Sequence, residues 1–79
     1  MSRAPSPLES ALQSATLDRY ERALHTLTAE RQEAIVARFE LGCSHAEVAI
    51  LLGKPGAEAA RKFIARAVIE LAYAMKHDA

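Results

Sequence analysis

Leu41–Arg66, LGCSHAEVAILLGKPGAEAARKFIAR, is the stretch whose reading decides how this chain folds. Ser44-His45-Ala46-Glu47 has the spacing of a capping box, in which a serine hydroxyl and a glutamate three residues on satisfy each other's backbone amides. A helix therefore starts at His45 and runs to Leu52, with Val48, Ala49, Leu51 and Leu52 as its apolar set. Gly53-Lys54-Pro55-Gly56 cannot continue that helix and forms a turn. The next helix spans about Ala57 to Met75, and its first turns hold Arg61, Lys62 and Arg66, three of the chain's ten basic residues. Two helices joined by such a turn make a helix-turn-helix, a unit that commonly sets its second helix into the major groove of DNA.

At 100° per residue the last helix divides into two faces. Ile64, Ala67, Leu71, Ala74 and Met75 fall within about 60° of Ala60, with Phe63 at the edge, and form the stripe expected to be buried. Glu58, Lys62, Ala65, Arg66, Ile69 and Tyr73 lie opposite, with Arg61 on the flank. The outer face is polar and basic in its first half and apolar in its second.

Upstream, Thr28 suits the N-cap of a helix from Ala29 to about Glu40, with Ile35, Val36 and Phe39 facing inward and Gly42 as a left-handed cap. Leu8, Leu12 and Ala15, then Leu17, Tyr20, Leu24 and Leu27, recur at helical spacing. They form one long helix, or two with a break near Thr16, where Asp18 suits a new first turn. Ser6, Pro7 and Glu9 fit an N-cap, a first helical position and a capping-box glutamate. Residues 1–7 (MSRAPSP) read as a flexible tail or severed linker, and 8–79 as one domain. The fold class is all-α, a four- to five-helix bundle ending in the helix-turn-helix.

Composition agrees with that class. Seventy-nine residues make one small domain, 51% hydrophobic, with only three Gly, three Pro and no Trp. Such a chain buries only about 60% of its unfolded surface and depends on close helix packing or a partner. The single Cys43 excludes an internal disulfide and points inward as a small hydrophobe; His25 and His77 have no ligand-spaced partners for a metal. No cofactor is expected, and no nucleophile–base or paired-carboxylate arrangement points to catalysis. No apolar run reaches the roughly 20 residues of a membrane span or resembles a signal peptide, so a cytoplasmic setting is the expectation. Net charge is zero. Residues 53–66 nevertheless hold Lys54, Arg61, Lys62 and Arg66 against Glu58 alone. A neutral domain with one small basic face neutralises few phosphates and binds DNA weakly unless a larger assembly holds it there.

Several stretches resemble the C-terminal promoter-reading domain, region 4, of bacterial sigma factors, most closely the extracytoplasmic-function group. Tyr20-Glu21-Arg22-Ala23-Leu24 is similar to the family's first helix, and Leu27-Thr28-Ala29-Glu30-Arg31 to its second element. Gly42-Cys43-Ser44-His45-Ala46-Glu47-Val48-Ala49, Leu52-Gly53, Arg66-Ala67 and Leu71 follow the rest. The turn departs from the pattern by one extra residue, Cys43 replaces a larger side chain, and Phe63 stands where a basic residue is common. Nothing resembles region 2, so the chain reads as a fragment or a truncated relative. The resemblance implies a winged-helix-like domain without a wing that binds the −35 promoter element and docks on the beta-subunit flap of RNA polymerase. It also implies that an anti-sigma protein can cover the docking surface.

On that basis Arg61, Lys62 and Arg66 are candidates for base edges and phosphates, with Ala65 between them. Glu58 is a candidate acceptor for a cytosine amino group, and Lys54, Ser44 and His45 are candidates for phosphates. A solvated basic face, a helix-start glutamate placed for the dipole and a solvated His45 are the plain alternatives. Arg31 suits a salt bridge as well as DNA. Ile69, Tyr73, Tyr20 and Leu24 are the candidate partner surface, unless the first helix folds back over Ile69 and Tyr73; left open, that surface also invites self-association. Two other readings remain: a stand-alone LuxR-like dimeric regulator, and a helix-turn-helix-shaped interaction module that does not bind DNA.

Overall fold

The structure, a computed structural model, describes residues 6–77, apart from the side chains of Glu9, Ser10 and Leu12. Of the expected tail, residues 1–7, positions 1–5 lie outside the described residues, as does the Glu9 capping contact, and Pro7 is the first residue of α1. Four helices follow in order: α1 Pro7–His25, α2 Ala29–Ile35, α3 His45–Leu52 and α4 Ala57–His77, with α2 running on into a π-helical turn, Val36–Glu40. No strand occurs among the described residues. Of the two readings of the first segment, the unbroken helix is the one found.

Local chemistry sets each boundary. Beyond α1, Thr26 Oγ1 donates to Ala23 O at 2.6 Å, and the Leu27 amide reaches only as far as Leu24 O, at 3.1 Å. Thr28 then opens α2 from an extended conformation, its Oγ1 accepting from the Arg31 amide at 3.4 Å. α3 begins with the full capping box: Ser44 N donates to Glu47 Oε1 at 2.7 Å and Glu47 N to Ser44 Oγ at 3.1 Å. It ends at Gly53, whose φ of +69° lets the Lys54 amide turn back to Ala49 O at 2.8 Å.

Two expectations need correction. Phe39 was expected inside, but it is 61% exposed, and Ala37 at 1% takes the core position. The Leu41 amide bonds to Val36 O five residues back, at 3.0 Å, and past Gly42 (φ +72°) the Cys43 amide bonds to Ala37 O at 2.9 Å. This wider turn adds a residue to the circuit, so positions after Val36 fall behind the α-helical phase and Phe39 swings outward. Leu51 was placed in the apolar set of α3, yet it is 57% exposed. The buried stripe of that short helix is Val48, Ala49 and half-buried Leu52, and Leu51 lies about 110° from its middle at 100° per residue.

The core has two lobes sharing α4. Ala34, Ala37, Val48, Ala49, Ala60 and Ile64 form one, with Cys43, Leu52 and Phe63 packed against it. Leu24, Leu27, Ile35 and Ala67 form the other, with Tyr20, Val36 and Leu71 at its edge. Alanines at 34, 37, 49, 60 and 67 let the helices approach closely, so a chain this small closes a core with few large side chains. Polar ties fasten the edges: Arg31 Nε to Glu70 Oε2 at 2.8 Å joins α2 to α4, and the Tyr20 hydroxyl donates to Glu40 Oε2 at 2.7 Å, joining α1 to the π turn. α4 keeps the predicted inward stripe, fully buried at Ala60, Ile64 and Ala67 and half-buried at Leu71, Ala74 and Met75, and runs two residues past the expected end to His77.

Candidate nucleic-acid interface

Burying Ala60, Ile64 and Ala67 turns the opposite side of α4 to solvent. Glu58, Arg61, Lys62, Ala65 and Arg66 are all exposed there, along the two turns that follow the Gly53–Gly56 connection. Arg61 places both Nε, at 2.9 Å, and Nη2 on Glu58 Oε1. Hydrogen bonding from Arg61 holds the Glu58 carboxyl below its ordinary range, with the charges of Arg61 and then His45 acting in the same direction. The same pairing raises the Arg61 guanidinium.

Lys62 and Arg66 differ from Arg61 in having no ion pair with any described residue. They stand one turn apart with Ala65 adjacent, a side chain short enough for a flat surface to approach the helix. This strip of two free cations beside a preformed Glu58–Arg61 pair is what the fold offers to an anion-bearing groove. Ser44 and His45 stand at the start of α3. Their helix start is already engaged, because Glu47 occupies the Ser44 amide, and that bond together with the Ser44 hydroxyl contact keeps the Glu47 carboxyl below its ordinary range. An incoming phosphate would meet an ionised carboxylate there.

Lys54, expected to face phosphates, is turned inward. Its Nζ lies 3.1 Å from Glu30 Oε1 and 4.1 Å from the centroid of the Phe63 ring. Arg31 is likewise committed, to Glu70.

Farther along α4, Ile69 and Tyr73 are 68% and 65% exposed, so α1 does not fold over them. They border an open groove with Leu27 and Ala74, rimmed by Arg22, His25 and His77, and Tyr73 packs on the His77 ring at a centroid distance of 4.1 Å. The remaining two members of the expected partner surface are placed differently. Leu24 is 9% exposed and belongs to the core, where it packs with Leu27 of the α1–α2 connection and Ala67 of α4. Tyr20 is half-buried with its hydroxyl committed to Glu40. Sequence reasoning also passed over the exposure of Phe39, Leu41, Ile50 and Leu51. Leu41 and Leu51 line one groove, and Phe39 lines another with Leu17 and Tyr20. The π turn brings Phe39 outward, and no periodicity signals that turn.

A family model described as Sigma-70, region 4 matches residues 17–71, from the middle of α1 to the last core turn of α4. The chain belongs to the sigma-70 region 4 family. Comparison with curated proteins and with solved structures gave no match. Region 4 is a DNA-binding helix-turn-helix domain of sigma factors, a transcription family and not an enzyme family, whose members engage DNA and RNA polymerase. No described helix of this region 4 domain is long and apolar enough to cross a membrane.

Proposed function

We propose that this region 4 domain recognises the −35 promoter element in the cytoplasm, with α4 in the major groove and RNA polymerase holding it in place. The observation that carries the reading is the solvent-facing strip of Lys62, Ala65 and Arg66, held outward by burial of Ala60, Ile64 and Ala67 directly behind it. Arg66 suits guanine O6 and N7, Lys62 a phosphate or a base edge, and the Glu58–Arg61 pair offers a donor fork next to an acceptor. Two unpaired cations give weak binding alone. Docking of the Ile69–Tyr73 groove on the beta-subunit flap supplies the remainder by raising the local concentration of promoter contacts. An anti-sigma protein would act by covering the same groove.

Lys62→Ala combined with Arg66→Ala should abolish discrimination between a promoter and a scrambled duplex in the presence of core polymerase, while circular dichroism shows unchanged helix content. Unchanged promoter use by the double variant would refute the reading. The inward commitment of Lys54 and the pairing of Arg61 favour one second reading, an interaction module without DNA contacts. Binding to a promoter fragment that is absent even with polymerase present, or indifferent to salt, would select that reading.

A further inference from the structure

We propose that Lys54 is a positioning residue for DNA reading: it clamps the helix-turn-helix turn between α2 and α4 and contributes no phosphate contact. This inference rests on the DNA-reading role proposed above. Three observations meet at this side chain. Its backbone amide closes the end of α3 on Ala49 O at 2.8 Å, which fixes where the side chain departs. Its ammonium is 3.1 Å from Glu30 Oε1, in the first turn of α2. The same ammonium stands 4.1 Å above the Phe63 ring, which itself packs against the core lobe of Ala34, Val48 and Ile64.

One residue thus touches all three helices whose mutual angles aim the reading face, α2 and α4 through its ammonium and α3 through its backbone amide. The turn that joins α3 to α4 contains Gly53 in the left-handed conformation, and the side chain of Lys54 ties that turn to α2 and to α4. The aromatic ring at 63 belongs to the same device, because its face attracts the Lys54 ammonium where a cationic side chain would repel it. With Glu30 balancing its charge and Phe63 covering one side, Lys54 has little net charge left for a phosphate.

The test compares the full chain with its Lys54→Met, Glu30→Gln and Phe63→Leu variants. Each is titrated over a salt series against a duplex selected with the wild-type chain from a randomised pool, and against a scrambled duplex. Lys54→Met should leave the slope of log K against log salt unchanged, whereas loss of a phosphate contact would lower its magnitude by about 0.9. Glu30→Gln removes a negative charge, so bulk electrostatics alone would tighten both duplexes. The clamp predicts instead that affinity for the selected duplex falls at least about fivefold, the lower end of what one lost base contact costs, while the scrambled duplex loses nothing. A lowered slope for Lys54→Met, or tightening of both duplexes by Glu30→Gln, would overturn the assignment.

A second measurement needs no DNA. In the proton NMR spectrum of the wild-type chain, the ε-methylene protons of Lys54 should lie upfield under the Phe63 ring current and return to their ordinary position in Phe63→Leu. Protons without that displacement in the wild type also overturn the clamp. Should the wild-type chain select no duplex even with core RNA polymerase present, the DNA-reading role fails, and the ring-current measurement alone decides whether the clamp exists.

Discussion

Two polar contacts decide most at the scale of single residues. The Ser44–Glu47 box satisfies two amides at the start of α3, and Ser44→Ala should cost about 1 kcal/mol in denaturant melts. Because the Glu47 carboxyl is held below its ordinary value of 4.5, its contribution is fully present above that pH and is lost as acidification proceeds through the lowered value. Glu47→Gln should therefore flatten the acid side of a stability–pH profile. Tyr20 behaves in the opposite sense. Burial, then its hydrogen bond to Glu40 and the charges of Glu40 and Glu21, push its hydroxyl from 10.0 up to about 12. The neutral phenol stabilises the fold below pH 10, and that contribution disappears as the pH climbs through the interval to about 12. Tyr20→Phe should lower stability at neutral pH by about 1 kcal/mol and remove the alkaline decline. The first contact was legible in the sequence because both partners lie within one turn of each other. The second was not: twenty residues separate Tyr20 from Glu40, and only the docking of α1 beside the π turn brings them together.

At the scale of elements, the helix-turn-helix was legible because each of its boundaries is local chemistry. Ser44 caps α3, Gly53 ends it, and Pro55 with Gly56 precedes α4. Gly53→Ala places a Cβ in open space, so the only penalty is the left-handed φ of +69°. A loss of about 1 kcal/mol in thermal stability is expected, read from the shift in melting temperature. What the sequence could not reveal is the π turn. Ile35, Val36 and Phe39 have perfect α-helical spacing, and the widening arises from how the chain closes past Gly42, with Cys43 bonded to Ala37 O. The price of reading periodicity alone was an aromatic residue assigned to the core that stands on the surface. Nor does its place in the turn announce the contacts of Lys54, whose partners, Glu30 and Phe63, belong to two other helices.

At the scale of the whole molecule, one helix carries two unlike outer surfaces. The first half of α4 presents charge and the second half presents Ile69 and Tyr73, a division visible in the sequence as a change in the outer face along the helical wheel. Ile69→Asp tests that division. The side chain is 68% exposed, so stability should change by no more than about 0.5 kcal/mol. Retention of the chain by RNA polymerase in a pull-down or surface-binding assay should fall at least about fivefold if the groove is the docking site. Packing of the first helix is the remaining property of the whole molecule, and it is uneven. Among its described side chains Ala23 and Leu24 are buried, and Leu24 and Tyr20 join the second lobe, whereas Leu8 and Leu17 are 70% and 59% exposed. Helical segments without tertiary support are marginal in water. Unfolding is accordingly not one cooperative event: the leading turns of α1 melt first, while the alanine-rich core persists. An ellipticity trace and a probe of core packing will then report different midpoints for the same chain.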